Sequence, residues 1–80
     1  MLNNLEQFTV ESYTGSILEL KSQIENITGV EEARIYGENT EVKDRKLSFD
    51  ISYDSYAIDR YSICQKIEEF SGVSGEVFCS

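Results

Sequence analysis

Apolar and polar residues alternate along two stretches of the chain, Gln7-Phe8-Thr9-Val10-Glu11 and Lys46-Leu47-Ser48-Phe49-Asp50-Ile51-Ser52-Tyr53-Asp54. A period of two is that of a strand with one covered and one wet face, and it assigns Phe8, Val10, Leu47, Phe49, Ile51 and Tyr53 to the covered side. The alternation is weaker from Val30 to Tyr36, where Ala33 and Ile35 are the inward residues. A short last strand from Gly75 to Ser80 points Val77 and Cys79 inward. Elsewhere the period changes. Ile17, Leu20, Ile24 and Ile27 recur at steps of three, four and three, one stripe of a helix over about Ser16 to Thr28. Thr14 or Ser16 can cap its start, and Gly29 supplies a left-handed stop. A second helix carries Ile63, Ile67 and Phe70 and stops at Gly72, with Asp54, Ser55 or Asp59 as its cap. The polar stretch from Gly37-Glu38-Asn39-Thr40 to Lys43-Asp44-Arg45 is expected to form the hairpin between the central strands, the second and third.

The two halves resemble each other. Ile24-Glu25-Asn26-Ile27-Thr28-Gly29-Val30 reappears as Ile67-Glu68-Glu69-Phe70-Ser71-Gly72-Val73, and the same 43-residue offset carries Leu20 onto Ile63 and Phe8 onto Ile51. Each copy reads strand, helix, glycine stop, strand. Two such units are the layout of the ferredoxin-like, split βαβ fold. The expectation is therefore one α+β domain over residues 1–80 in βαββαβ order, a four-stranded antiparallel sheet with both helices on one face. The opposite face would be left wet. It would carry Gln7, Thr9, Glu11, Arg34, Tyr36, Ser48, Asp50, Ser52, Glu76 and Phe78.

Composition narrows the chemistry. Eighty residues, 40% of them hydrophobic and 11% aromatic, suffice for one core and are too apolar for a disordered chain. No apolar run approaches the roughly 18–20 residues of a membrane span, and Met1–Val10 has no secretory-signal pattern, which together point to the cytoplasm. Histidine is absent, which removes the commonest acid–base catalyst and metal ligand. No phosphate-binding glycine loop, nucleophile elbow or Ser/His or Cys/His pairing occurs, and adjacent carboxylates such as Glu31-Glu32 and Glu68-Glu69 diverge rather than flank one bond. Cys64 and Cys79 lack a third or fourth ligand at a recognisable spacing and read as small buried apolar residues. A non-enzymatic protein without a cofactor or metal is expected.

The run Phe8-Thr9-Val10-Glu11, the spacing of Leu20, Ile24 and Ile27 ahead of Gly29-Val30, and Leu47 to Asp54 together resemble a heavy-metal-associated domain, the βαββαβ fold of copper chaperones and metal-ATPase modules. The Cys-x-x-Cys of that family would fall on Tyr13 and Ser16. Soft-metal binding needs paired thiolates, so the likeness carries the fold and not the activity. The Gly15 loop ahead of the first helix also resembles amino-acid-binding regulatory domains of the same topology. A small-ligand or regulatory module with a degenerate site is thus the alternative function.

Net charge gives the leading one. Seven Lys and Arg against fifteen Asp and Glu leave −8 and a pI near 4.3, which disfavours direct nucleic-acid binding. A small rigid body bearing many carboxylates can instead enter a basic groove built for phosphates. In size, acidity and fold type the chain is similar to nucleic-acid-mimicking inhibitors, which include phage proteins acting against restriction or CRISPR machinery. That likeness implies an acidic inhibitor that occupies the basic, nucleic-acid-binding surface of a protein partner. The expected contact residues are Glu25, Glu31, Glu32, Glu68 and Glu69 near the helix C-termini, with Tyr36, Asp50 and Phe78 on the open sheet. Carboxylates at a helix C-terminus oppose its dipole, a hint that they serve another purpose. The chain is expected as a monomer or a homodimer paired through the sheet face or an edge strand.

Overall fold

A computed structural model describes residues 3–35 and 41–79. Six elements follow one another: β1 (Asn3–Ser16), α1 (Ile17–Glu25), β2 (Val30–Ile35), β3 (Glu41–Asp54), α2 (Arg60–Glu68) and β4 (Val73–Cys79). The strands form one antiparallel sheet in the order β2-β3-β1-β4, so β1 and β3 are central and β2 and β4 are the edges. The result is a small α+β fold with a four-stranded antiparallel sheet and two helices.

The 43-residue offset holds at the level of caps and turns. α1 and α2 are each nine residues long, their N-caps are Ser16 and Asp59, their C-caps are Asn26 and Glu69, and the strands after them begin at Val30 and Val73. Ser16 Oγ accepts the Glu19 N–H at 3.3 Å, and Asp59 Oδ1 accepts that of Ser62 at 2.7 Å, each satisfying a donor that the first turn leaves unpaired. Both helices stop short of their apolar stripes. Ile27 and Phe70 lie past the last turn, where their N–H groups bond back to Ile24 and Ile67. The chain then turns at Gly29 (φ +98°) and Gly72 (φ +88°). Each turn is tied to the other half of the molecule: Asp54 N donates to the Gly29 carbonyl at 2.8 Å and Thr14 N to that of Gly72 at 2.9 Å.

One hydrophobic cluster holds these parts together. Phe8 and Val10 of β1, Phe49 and Ile51 of β3, Leu20 and Ile24 of α1, and Ile63 and Ile67 of α2 are fully enclosed in it. Along the regular stretches Phe8–Val10 and Leu47–Tyr53 only one parity enters the cluster, and residues of both helices enter it too, so both helices lie over the same face of the sheet. The other face presents Thr9, Ser48 and Ser52, with Thr9 Oγ1 and Ser48 Oγ hydrogen-bonded at 3.1 Å.

The central strands depart from the expected hairpin. β1 and β3 are fourteen residues each, because bulges between Val10 and Gly15 let pairing continue beyond the alternating pattern, to Tyr13 opposite Arg45 and Ser16 opposite Glu41. The run Lys43-Asp44-Arg45-Lys46 therefore belongs to β3 and not to the connection, and β2 is an edge strand and not a central one. Asp44 adopts φ +51° there, its carboxylate accepting from the Ser12 hydroxyl and its N–H donating to Thr14 Oγ1 at 3.1 Å. Local side-chain bonding of this kind offsets the cost of the left-handed backbone. Gly37 to Thr40 and Tyr36 lie outside the described residues. β4 begins at Val73, ahead of Gly75, because Gly75 (φ +80°) is absorbed as an extra residue opposite Val10 to Ser12. Among the described residues no helix is long and apolar enough to cross a membrane.

Candidate interaction surface

The carboxylates divide into those the fold uses and those it does not. Glu25, at the end of α1, is used. Its Oε2 accepts from Lys21 Nζ at 2.7 Å and from the Ala33 N–H at 3.0 Å, while Lys21 Nζ also donates to the Ala33 carbonyl at 2.7 Å. Ala33 sits on β2, so α1 grips the backbone of an edge strand on both its donor and its acceptor. The Lys21 ammonium, then the Ala33 N–H, hold the Glu25 carboxyl below its ordinary pKa. The hint drawn from a carboxylate at a helix C-terminus thus has an internal answer at Glu25. Glu11 is used as well, accepting the Glu76 N–H at 2.7 Å beside the Gly75 bulge.

The remaining expected contact residues are placed as follows. Glu31 and Glu32 are exposed on β2, Glu32 within 3.4 Å of Arg34. Glu68 and Glu69 are exposed at the end of α2, the helix that packs against β4. The side chains of Glu31, Glu68 and Glu69 make no hydrogen bond or ion pair among the described residues. Glu31 and Glu32 lie on one edge strand, β2, and Glu68 and Glu69 on the helix that packs against the other edge strand, β4. They therefore flank the body rather than form one cluster. Asp50 is half-buried on the open face of β3, between Gln7 and Arg34 of the neighbouring strands. Phe78 is 47% exposed on β4, opposite Thr9. Tyr36 is outside the described residues.

Between the helices runs an open groove of about 430 Å³, with Ile27 and Phe70 as its apolar part and Gln23, Asn26, Lys66 and Glu69 among its polar walls. Of the expected contact residues that are described, only Glu69 reaches it. Sequence reasoning did not find this groove, because most of its lining, Asn26 to Thr28 with Glu69 and Phe70, follows the helices, where the 3.6-residue period no longer assigns a face.

A second polar cluster lies where α2 meets the sheet. Tyr53 Oη donates to Glu6 Oε1 at 2.8 Å, and Arg60 Nη1 stands 3.6 Å from Glu6 Oε2. Burial first, then the hydrogen bond to Glu6, raises the Tyr53 pKa. Next to this cluster the buried Cys64 thiol lies close to Cys79, and the two are not joined in a disulfide. Burial, the Cys79 sulfur and the nearby Glu68 and Glu6 carboxylates push the Cys64 pKa up to about 12. A thiol so disfavoured as thiolate is a packing group and a poor nucleophile. Among the described residues no group of three or more Cys, Asp or Glu is arranged to hold a metal ion.

The electrostatic outline is lopsided. Lys43, Arg45 and Lys46 are all exposed on the first half of β3, with Asp44 the one carboxylate among them. This run holds three of the seven cations, so the other residues carry −10 between them. Comparison with protein-family models, with curated proteins and with solved structures returns no match.

Proposed function

We propose that this chain is a non-enzymatic, acidic interaction module of ferredoxin-like βαββαβ arrangement. It docks on the basic surface of a partner protein that handles nucleic acid and blocks it, as an anti-restriction or anti-CRISPR inhibitor does. The observation that carries this reading is that the carboxylates of Glu31, Glu68 and Glu69 are exposed and make no hydrogen bond or ion pair within the described residues, although other carboxylates of the fold are engaged as caps and edge clips. Their charge is available to a partner at no cost to the fold. Removing such a charge pair from water is favourable only where cations of matching geometry meet it, which makes the partner basic. The thiols of Cys64 and Cys79, close together and not joined in a disulfide, fit a reducing cytoplasm.

The test is competition. Proteins retained on the immobilised chain from its host are purified and offered duplex DNA or RNA in the presence of the chain. Displacement of the nucleic acid at stoichiometric chain is the expected result, and simultaneous binding of both would overturn the reading. The interhelical groove favours a second reading, a small polar ligand held between Lys66 and Glu69. A rise in Tm with a metabolite, unaffected by charge reversal at Glu31 and Glu32, would mark that case.

A further inference from the structure

The two edges of the sheet are not alike. At β2, the Lys21–Glu25 pair of α1 grips the Ala33 N–H and carbonyl, and the edge is closed to another strand. The 43-residue offset carries Lys21 onto Cys64 and Glu25 onto Glu68, so α2 has no cation where α1 has its clip. Cys64 instead lies against Cys79 of β4, and the Glu68 carboxylate stands beside it without a hydrogen bond or ion pair among the described residues. The backbone bonds of β4 outside the helices and ladders are the Val73 N–H to Phe70 and the Glu76 N–H to Glu11, the first within its own turn and the second on the side of β1. An edge strand with no clip is a template for another strand. The sign of its surroundings selects what joins it: Glu11, Glu68 and Glu76 lie at or beside β4, with Arg60 as the cation near its Cys79 end. A second copy carrying −8 is repelled there, and a basic segment is attracted. Ser74 and Gly75 are small and exposed, which allows close approach, and the half-exposed Phe78 ring offers an apolar contact on the same strand.

We infer that the outer edge of β4 takes up an extended, basic segment of the partner as a fifth strand, with a lysine or arginine of that segment meeting Glu68 as Lys21 meets Glu25. This rests on the acidic-module reading above and gives it a place and a geometry: main-chain bonds supply affinity and alternate side chains supply selectivity.

The experiment uses the full chain, isotope-labelled, with three peptides: acetyl-Arg-Val-Arg-Val-Arg-Val-amide, the same peptide N-methylated at alternate residues, and its Glu-for-Arg counterpart. The basic peptide is expected to shift the amides of Val73 to Cys79 and slow their hydrogen exchange at least tenfold. The N-methylated and acidic peptides should bind at least tenfold more weakly. Glu68→Gln should weaken uptake about threefold or more, and Cys64→Lys, which rebuilds the clip, should abolish it. Glu68→Gln is at an exposed site and keeps the test decisive if Cys64→Lys does not fold. Equal binding of the N-methylated peptide would overturn strand addition while leaving the acidic-module reading intact. So would no uptake of the basic peptide at millimolar concentration, shifts centred on β2 or the open sheet face, or a dimer of the free chain with its β4 amides already protected. Failure of the acidic-module reading would show separately, as partner binding insensitive to salt.

Discussion

The Glu25 carboxylate, at the end of α1, joins the Lys21 ammonium to the backbone N–H of Ala33 on β2. Its pKa is lowered in the folded state, so its contribution to stability is present above the ordinary value of 4.5 and is lost as the pH falls through the lowered value. A third of the side chain is exposed, and solvent screening holds the contribution to about 0.5–1 kcal/mol. Glu25→Gln should therefore lower the stability measured by urea at pH 7 by that amount and flatten its acid limb. Cys64 has the opposite sign. Its folded-state pKa is raised from 9.0 to about 12, so stability is intact below pH 9 and declines as the pH rises from there toward the folded value. Cys64→Ala should flatten that alkaline limb. In the native protein at pH 8, a disulfide reagent should modify Cys64 only as fast as the fold opens, and fast labelling of both thiols would contradict its burial against β4.

At the scale of elements, the repeat was legible because its signal is redundant: apolar spacing, a capping side chain and a stop glycine recur together at one offset. Ser16 and Asp59 were among the caps expected, and the inward residues of β1 and β3 follow from the period of two. What could not be read was where a strand continues through polar residues. Lys43 to Lys46 look like a turn, yet they pair with β1 because Tyr13 and Val42 are buried beneath them and the Asp44 carboxylate and amide are bonded to Ser12 and Thr14. The clip on β2 was equally silent, since a lysine and a glutamate one turn apart resemble any solvated pair. The two stop glycines can be ranked by what surrounds them. Alanine at either position meets a left-handed backbone worth roughly 1–2 kcal/mol. At Gly29 the added methyl presses on Ile58 Cγ2 at 2.7 Å and on the Cβ atoms of Ala57 and Ile58 at 3.1 Å, all side-chain atoms; at Gly72 it overlaps the backbone carbonyl oxygen of Thr14 far more closely. Gly72→Ala should lower Tm more than Gly29→Ala, and the reverse order in calorimetry would show that the tie to Thr14 is slack.

For the whole molecule, the sheet order separates what the sequence placed together. Glu31 and Glu32 go to one edge with β2 and Glu68 and Glu69 toward the other with α2 and β4, so a partner reaches both only by spanning the body. The total of −8 was readable from the sequence, but its distribution required the fold, because Lys43 to Lys46 move from a loop into the central sheet. The core limits what can be tested by mutation. A domain of this size is stabilised by roughly 4–12 kcal/mol. Truncating a fully buried ring such as Phe49 costs about 3–5 kcal/mol and would confuse lost binding with lost folding. Exposed carboxylates are the proper targets. The most direct measurement is the affinity of the captured partner for the wild-type chain and for the paired reversals Glu31→Lys with Glu32→Lys and Glu68→Lys with Glu69→Lys, followed across salt concentration with circular dichroism as the control for folding. The account predicts that the Glu68/Glu69 pair loses at least tenfold in affinity with unchanged spectra, and that wild-type binding weakens steeply as salt rises. Reversed variants that bind as tightly as the wild type, at every salt concentration, would contradict it.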